Sequence, residues 1–406
     1  MLSCGVDTHL KMHQVEVQND RRKVLWRGQI YNNRKGFNEL LDKLRTIERS
    51  NSDTIAGIFI NPTGTYHMPI QHFLESSGYT VYYVDARVTE SARITSNLGK
   101  VKSDRVDSHL LASSPWDNEK AMERKPHLRD SVSSLTRLLE SVKKNITRIS
   151  NVMSADLAEV FPEFLDFFPD ITSKTALAML ERYPVPEIMV KSGMEDILNT
   201  MRKCSRNHYK RADAQKILEM AASSVGVPDD GTFAFRIREN VNRIKSELKS
   251  MSEIEEMIIE STEDNEDVRR IDDIRGIGPV NAAAIVSEIG DIGQFDSALK
   301  LQSYGGKAPI MKGSGGKDRA TGLSKARNPH LSNAVYESAV SLVNNRNKEF
   351  LEIFNREIGK GKKPTQAYVT VGRRLLYHIF TIMKNHKPYR QRLPRGEGEG
   401  VSSNGS

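Results

Sequence analysis

Two cysteines, Cys4 and Cys204, are all that a chain of 406 residues contains. No disulfide framework and no cysteine-built zinc site can be assembled from them, and a reducing cytoplasm is the expected compartment. No apolar run approaches the roughly 20 residues that a membrane span requires. The chain opens on a strand-like pattern rather than a charged-then-apolar leader, so no secretory signal is expected. Acidic residues are outnumbered: 52 Asp and Glu face 60 Lys and Arg, a net charge of +8. A basic balance over this length favours a polyanionic partner, either nucleic acid or an anionic membrane surface. Hydrophobic residues make up 38% and charged residues 28%, a polar composition that still suffices for packed cores. Single cores rarely grow past roughly 250–300 residues, so two or three domains are expected.

What is present divides by period. Residues 1–125 read as α/β. Leu2–Asp7, His13–Val17 and Val24–Tyr31 are successive strands with short polar breaks, as in a meander of hairpins. Gly36–Ile47 has helical spacing, Ile55–Ile60 is a buried-type strand, Thr65–Ser77 a helix and Thr80–Val84 a strand, with a further helix over Asp104–Ser113. The order βββαβαβα fits an RNase H-like mixed sheet. In residues 126–262, Leu128, Val132, Leu135, Leu139, Val142, Ile146, Ile149 and Met153 alternate spacings of four and three, a heptad seam. The pattern returns at Ile237, Val241, Ile244, Leu248 and Met251, continuing through Ile254 and Ile258. Two such helices can pair within one chain, as a coiled coil or a plain helical hairpin, or join two chains. Residues 263–390 form a second, mainly helical domain with a glycine-rich interruption at Gly305–Gly322. The tail 391–406, rich in Gly, Ser and Glu, is expected to be disordered.

Three patches carry chemistry. Asp7 lies in an otherwise apolar first strand, where a carboxylate is costly to bury alone. It suits either an exposed strand end or a ligand for a hard cation such as magnesium or manganese. Asp104 and Asp107, three apart, share a face of the helix they open; one of them can be a helix cap, but a cap does not account for both. Asn61-Pro62-Thr63-Gly64 follows a buried strand, and polar residues at such strand ends face the crevice where α/β sites are built. In the C-terminal domain, Arg275-Gly276-Ile277-Gly278-Pro279 between two helical patterns is helix-hairpin-helix-like, and Gly276 and Gly278 present backbone N–H groups to a phosphate. Further on, Ser314 stands in a basic, glycine-flanked loop with Lys307, Lys312 and Lys317. This suits a plain surface loop or a nucleophile approaching a phosphodiester.

Asp7, the Pro62-Thr63-Gly64-x-Tyr66 turn and Lys102-Ser103-Asp104-Arg105-Val106-Asp107 resemble the RuvC-like domain of the DEDD transposases. This is the insertion-sequence family related to the Piv DNA invertases, whose members are known as bridge-RNA-guided recombinases, and the resemblance covers nearly the whole chain. It implies a metal site at Asp7, Asn61, Asp104 and Asp107. Asn61 is a departure, because the family usually carries Glu before Pro-Thr-Gly. An amide oxygen brings no charge, so weaker metal binding or one firmly held ion is expected; Glu75 and Glu90 are displaced acids that could substitute. The resemblance makes Ser314, downstream of a Gly306-x-Ala308-Pro309 turn, the DNA-attacking residue, with Ser303 and Ser324 as neighbouring alternatives. Lys325 and Arg327 become phosphate contacts. It further implies DNA and a structured guide RNA as partners, a homo-oligomer joined through the heptad helices, and a cytoplasmic, nucleoid-associated enzyme.

Three functions therefore remain. The first is serine- and metal-dependent DNA strand exchange. The second is a hydrolytic RuvC-like nuclease with Ser314 idle. The third is an impaired nucleic-acid-binding protein, on account of Asn61.

Overall fold

The first strand shows why the N-terminal part folds as it does. Along Leu2–Asp7 the apolar Leu2, Cys4 and Val6 alternate with Ser3, Gly5 and Asp7, so a pleated strand carries two unlike faces. The computed structural model describes residues 1–61, 66–84, 89–90, 103–117, 131–307, 309–312, 319–323 and 327–390. Leu128, Pro62 to Thr65, Lys102, Gly313 to Lys317 with Ser314 among them, Ser324, Lys325 and the tail 391–406 lie outside those residues. The chain divides into two compact units, Met1–Leu128 and Arg129–Ser406.

In the first unit, β1 (Leu2–Asp7), β2 (Met12–Asn19) and β3 (Val24–Tyr31) form the expected meander. Then follow α1 (Arg34–Asn51), β4 (Ile55–Ile60), α2 (Met68–Ser76), β5 (Val81–Tyr83) and α3 (Asp104–Asp117). The sheet order is β3-β2-β1-β4-β5, antiparallel on the β2 side and parallel on the β4 side of β1. This is the mixed five-stranded sheet that the element order anticipates. Leu2, Cys4 and Val6 pack with Val15, Val17, Ile58 and Ile60 against Phe37, Leu40 and Leu44 of α1 and Ile70 and Leu74 of α2. The opposite face carries Ser3, Gly5 and Asp7, and α3 crosses it over β1 and β2. Gly5 permits that crossing. A Cβ on Gly5 would lie 2.3 Å from both the Ala112 nitrogen and the Ser108 oxygen, so only a residue without one lets the helix backbone come so near. The Ser3 hydroxyl donates to the Ala112 carbonyl, pinning the same contact.

Among its described residues the second unit is helical but for one hairpin. Its elements begin with α4 (Ser131–Val160), α5 (Pro162–Phe167), α6 (Lys174–Arg182), α7 (Pro186–Ser205), α8 (Arg211–Ala222) and α9 (Thr232–Ser261). They continue with α10 (Glu266–Asp272), α11 (Pro279–Ile289), α12 (Ala298–Tyr304), β6 (Pro309–Lys312), β7 (Arg319–Leu323), α13 (Pro329–Asn344), α14 (Lys348–Gly359) and α15 (Pro364–Asn385). The two heptad segments are α4 and α9, and they pack on one another within the chain. Val132, Leu139 and Val142 share an apolar cluster with Ile254 and Ile258. Ile149, Met153 and Leu157 share another with Ile237, Val241 and Ile244. Start meets end, so the pair is antiparallel. Of the two pairings left open, the seams meet within one chain, while Leu138, Val152, Met257 and Ile259 on the same helices stay exposed. The glycine-rich interruption also differs from the loop expected, because β6 and β7 pair antiparallel, with Lys312 opposite Arg319. No helix among the described residues is long and apolar enough to cross a membrane.

Candidate active site

Asp7 ends β1 and is buried, with 8% of its surface exposed. Strand register sets its neighbours. Val6 pairs with Ile60 in the parallel β1–β4 ladder, so the chain passes Asp7 and Asn61 side by side at the C-terminal ends of the two strands. The Thr8 hydroxyl reaches the Asn61 carbonyl at 3.4 Å. The helix that Gly5 admits begins at Asp104, and Asp104 and Asp107 occupy its first turn. Carboxylates there are favoured by the helix dipole, and the packing of α3 over β1 brings that turn above Asp7.

A residue that the sequence reading did not single out completes the group. His9 Nε2 lies 3.1 Å from Asp7 Oδ2 and 3.5 Å from Asp104 Oδ2. One ligand atom from each of Asp7, His9 and Asp104 fits within 4.8 Å of the others. The His9 backbone is fixed in turn, its N–H donating to His13 Nδ1 at 3.2 Å. Burial pushes His13 down to about 4, so its ring stays neutral near neutral pH and that nitrogen stays an acceptor. Burial raises the pKa of Asp7 above the usual carboxylate range; the charge and hydrogen bond of His9 oppose this, and the charges of Asp107 and Asp104 add to it. A partly desolvated carboxylate beside two further carboxylates lacks positive charge, and a divalent cation is the natural complement. The donor set of oxygens and one imidazole fits such an ion. Among the described residues neither Glu75 nor Glu90 joins the group. Glu75 is held on α2, accepting from Gln71 at 3.1 Å.

The α3 helix is locked onto the sheet by a second polar set. Glu16, opposite Gly5 on β2 and fully buried, accepts from His109 Nδ1 at 2.7 Å and from Arg27 Nε at 2.6 Å. Gln18 Nε2 donates to Glu16 at 2.8 Å and to the His109 carbonyl at 3.3 Å. Burial opposes ionisation of Glu16, but its hydrogen bonds to His109, Gln18 and Arg27 outweigh it and hold the carboxyl below the usual range.

In the second unit both flanks of the Ser314 segment are tied down. Asn328 donates its backbone N–H to the Tyr304 carbonyl at 2.8 Å. Its side chain caps α13, accepting from His330 and Leu331. The same side chain donates to Glu288 Oε2 at 2.7 Å and to the Tyr304 hydroxyl at 3.0 Å. Glu288, 2% exposed, is gripped by Arg137 of α4 through contacts of 2.6 and 2.8 Å. Ser314 falls in the connection 313–318 of the β6–β7 hairpin, outside the described residues, as do Lys317 and Lys325. Lys312 ends β6. Lys307 is not at the surface: it is 4% exposed, and Nζ donates to the Ser332 carbonyl at 3.0 Å and hydroxyl at 3.3 Å, above the Tyr336 ring. Burial pushes it down to about 8. The reading of Lys307 as a surface phosphate contact does not match that placement, because its long stem finds the α13–α15 core and its ammonium finds backbone acceptors there. Arg327 is exposed. Ser303 lies exposed on α12, its carbonyl accepting from Gly306. The turn between α10 and α11 holds Gly276 at φ +104° and Gly278 as the residue before α11; a Cβ on Gly278 would meet nothing.

Residues 4–162 match the DEDD transposase family of the IS110 type, described as "Transposase". Residues 268–355 match the family described as "Transposase IS116/IS110/IS902 family". The class is therefore a transposase, an enzyme that acts on DNA. More narrowly, the chain belongs to the IS110/IS116/IS902 family of insertion-sequence transposases. Among curated relatives, the 42 kDa protein of insertion element IS900 from Mycobacterium paratuberculosis is 23% identical, over 95% of this chain and 96% of its own. The mini-circle putative transposase for IS117 of Streptomyces coelicolor is 22% identical, over 82% of each chain. The pilin gene-inverting protein of Moraxella bovis is 26% identical, over 55% of this chain and 69% of its own. Among solved structures, a Thermus thermophilus RuvC in complex with a Holliday junction substrate aligns over 31% of this chain and 99% of its own, with a TM-score of 0.24 and 11% identity.

Proposed function

We propose that the chain carries out site-specific DNA strand exchange, with Asp7, Asp104 and Asp107 as metal ligands and Ser314 as the nucleophile. The observation that carries the metal half is the gathering of Asp7 and Asp104 by the close β1–α3 packing at Gly5. These residues, with Asn61 as a neutral oxygen donor, would hold magnesium or manganese, which when bound supplies Lewis acidity toward a phosphodiester oxygen. Ser314 is the nucleophile of this reading. Its hydroxyl oxygen bonds to phosphorus as the bond from phosphorus to the departing sugar oxygen breaks; the hydroxyl proton leaves, and the sugar oxygen takes one up. The phosphoserine stores the energy of the broken linkage, so the reverse attack by a new strand end rejoins DNA without a nucleotide cofactor.

The support for Ser314 is the resemblance around Gly306-x-Ala308-Pro309, together with the contacts among Asn328, Glu288 and Arg137 further along the chain. Arg327, which is exposed, together with Lys312, Lys317, Lys325 and the backbone of Gly276 and Gly278 in a helix-hairpin-helix-like turn, are the proposed phosphate contacts. Specificity is assigned to a structured guide RNA paired with both DNA partners. The relatives named for transposition and for pilin-gene inversion favour strand exchange over simple hydrolysis. Exchange between two duplexes asks for a homo-oligomer. The cytoplasm, where nucleoid DNA lies, is the proposed location. A plasmid recombination assay with the gene and its flanking non-coding DNA tests the reading. Recombination is expected with both present and is expected to stop when the non-coding segment is deleted; recombination indifferent to that deletion overturns the guided mechanism.

A further inference from the structure

The carboxylates of the sheet unit are accompanied by an imidazole that the expected ligand set does not contain, and the fourth expected position, Asn61, offers only an amide. From the placement of His9 between Asp7 and Asp104, we infer that His9 is a direct nitrogen ligand of the divalent cation, making a mixed nitrogen and oxygen site that favours manganese-type transition ions over magnesium. This rests on Asp7 and Asp104 being metal ligands, as proposed above.

Three observations carry it. First, the spacing is that of adjacent ligands. Ligands at right angles around an octahedral cation, with bonds of about 2.1 Å, sit about 3.0 Å apart. His9 Nε2 stands 3.1 Å from Asp7 Oδ2 and 3.5 Å from Asp104 Oδ2. Asp104 is more than half exposed, so a side-chain rotation at the start of α3 closes the second gap. Second, one nitrogen faces both carboxylates. A single N–H cannot point straight at two acceptors, whereas a lone pair directed at the point between them meets a cation there. Third, the backbone of His9 is anchored from behind through His13 Nδ1, and His13 is fully buried and stacked on Phe37 at 6.1 Å. That bond fixes the backbone position from which the imidazole projects.

The consequence is chemical. Hard carboxylate and amide oxygens suit magnesium, while imidazole adds affinity for transition ions that magnesium does not share. His9 thus supplies the fourth strong donor that Asn61 does not.

The test is manganese binding by the full chain, read by pulsed electron paramagnetic resonance, which detects nitrogen bonded to the ion. The wild-type chain is expected to show imidazole nitrogen coupling that His9→Gln removes, with manganese affinity falling roughly tenfold or more. His9→Asp is expected to keep a bound ion, to lack the nitrogen signal, and to bind manganese and magnesium with more nearly equal affinity. His9 is half-exposed, so these variants leave the fold intact, which circular dichroism checks. If manganese binds, and Asp7→Asn weakens it, but the nitrogen signal is absent or survives in His9→Gln, the inference fails while the carboxylate site stands. If manganese binding is indifferent to Asp7→Asn as well, the metal reading of the whole site falls with it.

Discussion

Asp7 carries a charge in surroundings that disfavour it. The carboxylate is buried, and the charges of Asp104 and Asp107 reach it from the first turn of α3, with His9 the opposing partner. Removing that charge while keeping the shape should separate function from stability. Asp7→Asn is expected to lower DNA cleavage by on the order of a thousandfold, the several kcal/mol that a lost metal contact represents. The same change should raise the melting temperature of the metal-free chain, since a desolvated charge disappears. A variant that cleaves normally, or one that is unfolded, would contradict this account. At this scale the sequence was legible in part. Asp7, Asp104 and Asp107 declare themselves, because acids in an apolar strand or paired on one helix face need a reason. His9 did not, because two residues past a strand end a histidine looks like any turn residue. Its partner Asp104 lies 95 positions away in the chain and arrives only through the fold. Lys307 misled for the opposite reason: a lysine after two glycines suggests an open loop, and only the packed α13–α15 pair reveals its buried acceptors.

Among elements, the β1–α3 contact positions the site, and Gly5 is its tightest point. Gly5→Ala would drive a methyl into the backbone of Ser108 and Ala112. Neither can yield without moving the helix, so the cost should be about 1–3 kcal/mol or more, with loss of cleavage because Asp104 and Asp107 shift. Chemical denaturation and cleavage assays measure both. In the helical unit, Arg137→Ala leaves Glu288 buried and uncompensated, which should destabilise by about 3–5 kcal/mol; Glu288→Gln in the same background should recover part of the loss. Glu349, bonded to Arg374, His378 and Tyr389, ties α14 to α15 and the segment beyond. Although burial opposes it, these partners hold Glu349 down to about 2. A depressed carboxyl stabilises the fold above its ordinary value near 4.5 and loses that contribution as pH falls toward about 2. Glu349→Gln should therefore cost about 1–3 kcal/mol at neutral pH, and the gap to wild type should narrow as the medium is acidified through that window. The elements themselves were largely readable: β1, β3 and β4 fall where alternation and turn residues put them, and α4 and α9 follow the heptads. The β6–β7 hairpin was not, because strands of 4 and 5 residues, one of them containing Gly322, are too short to show a period.

For the whole molecule, the two apolar clusters of the helical unit each draw on both α4 and α9 of the same chain. A heptad seam specifies that a helix has a partner but not whose helix it is, so only the shared clusters resolve the question. Ile244→Ala, at a fully buried seam position, should destabilise the unit by about 2–5 kcal/mol. Chemical denaturation of the variant against the wild-type chain measures that loss. The strand-exchange reading makes Ser314 the residue that attacks DNA, and that claim can be examined directly. Incubation with cognate DNA and a divalent cation, followed by denaturation and peptide mapping, should recover DNA covalently attached to Ser314. The adduct should vanish in Ser314→Ala and fall sharply in Asp7→Asn. Cleavage that persists undiminished in Ser314→Ala, with no adduct in the wild-type chain, would show a hydrolytic nuclease instead and contradict the account.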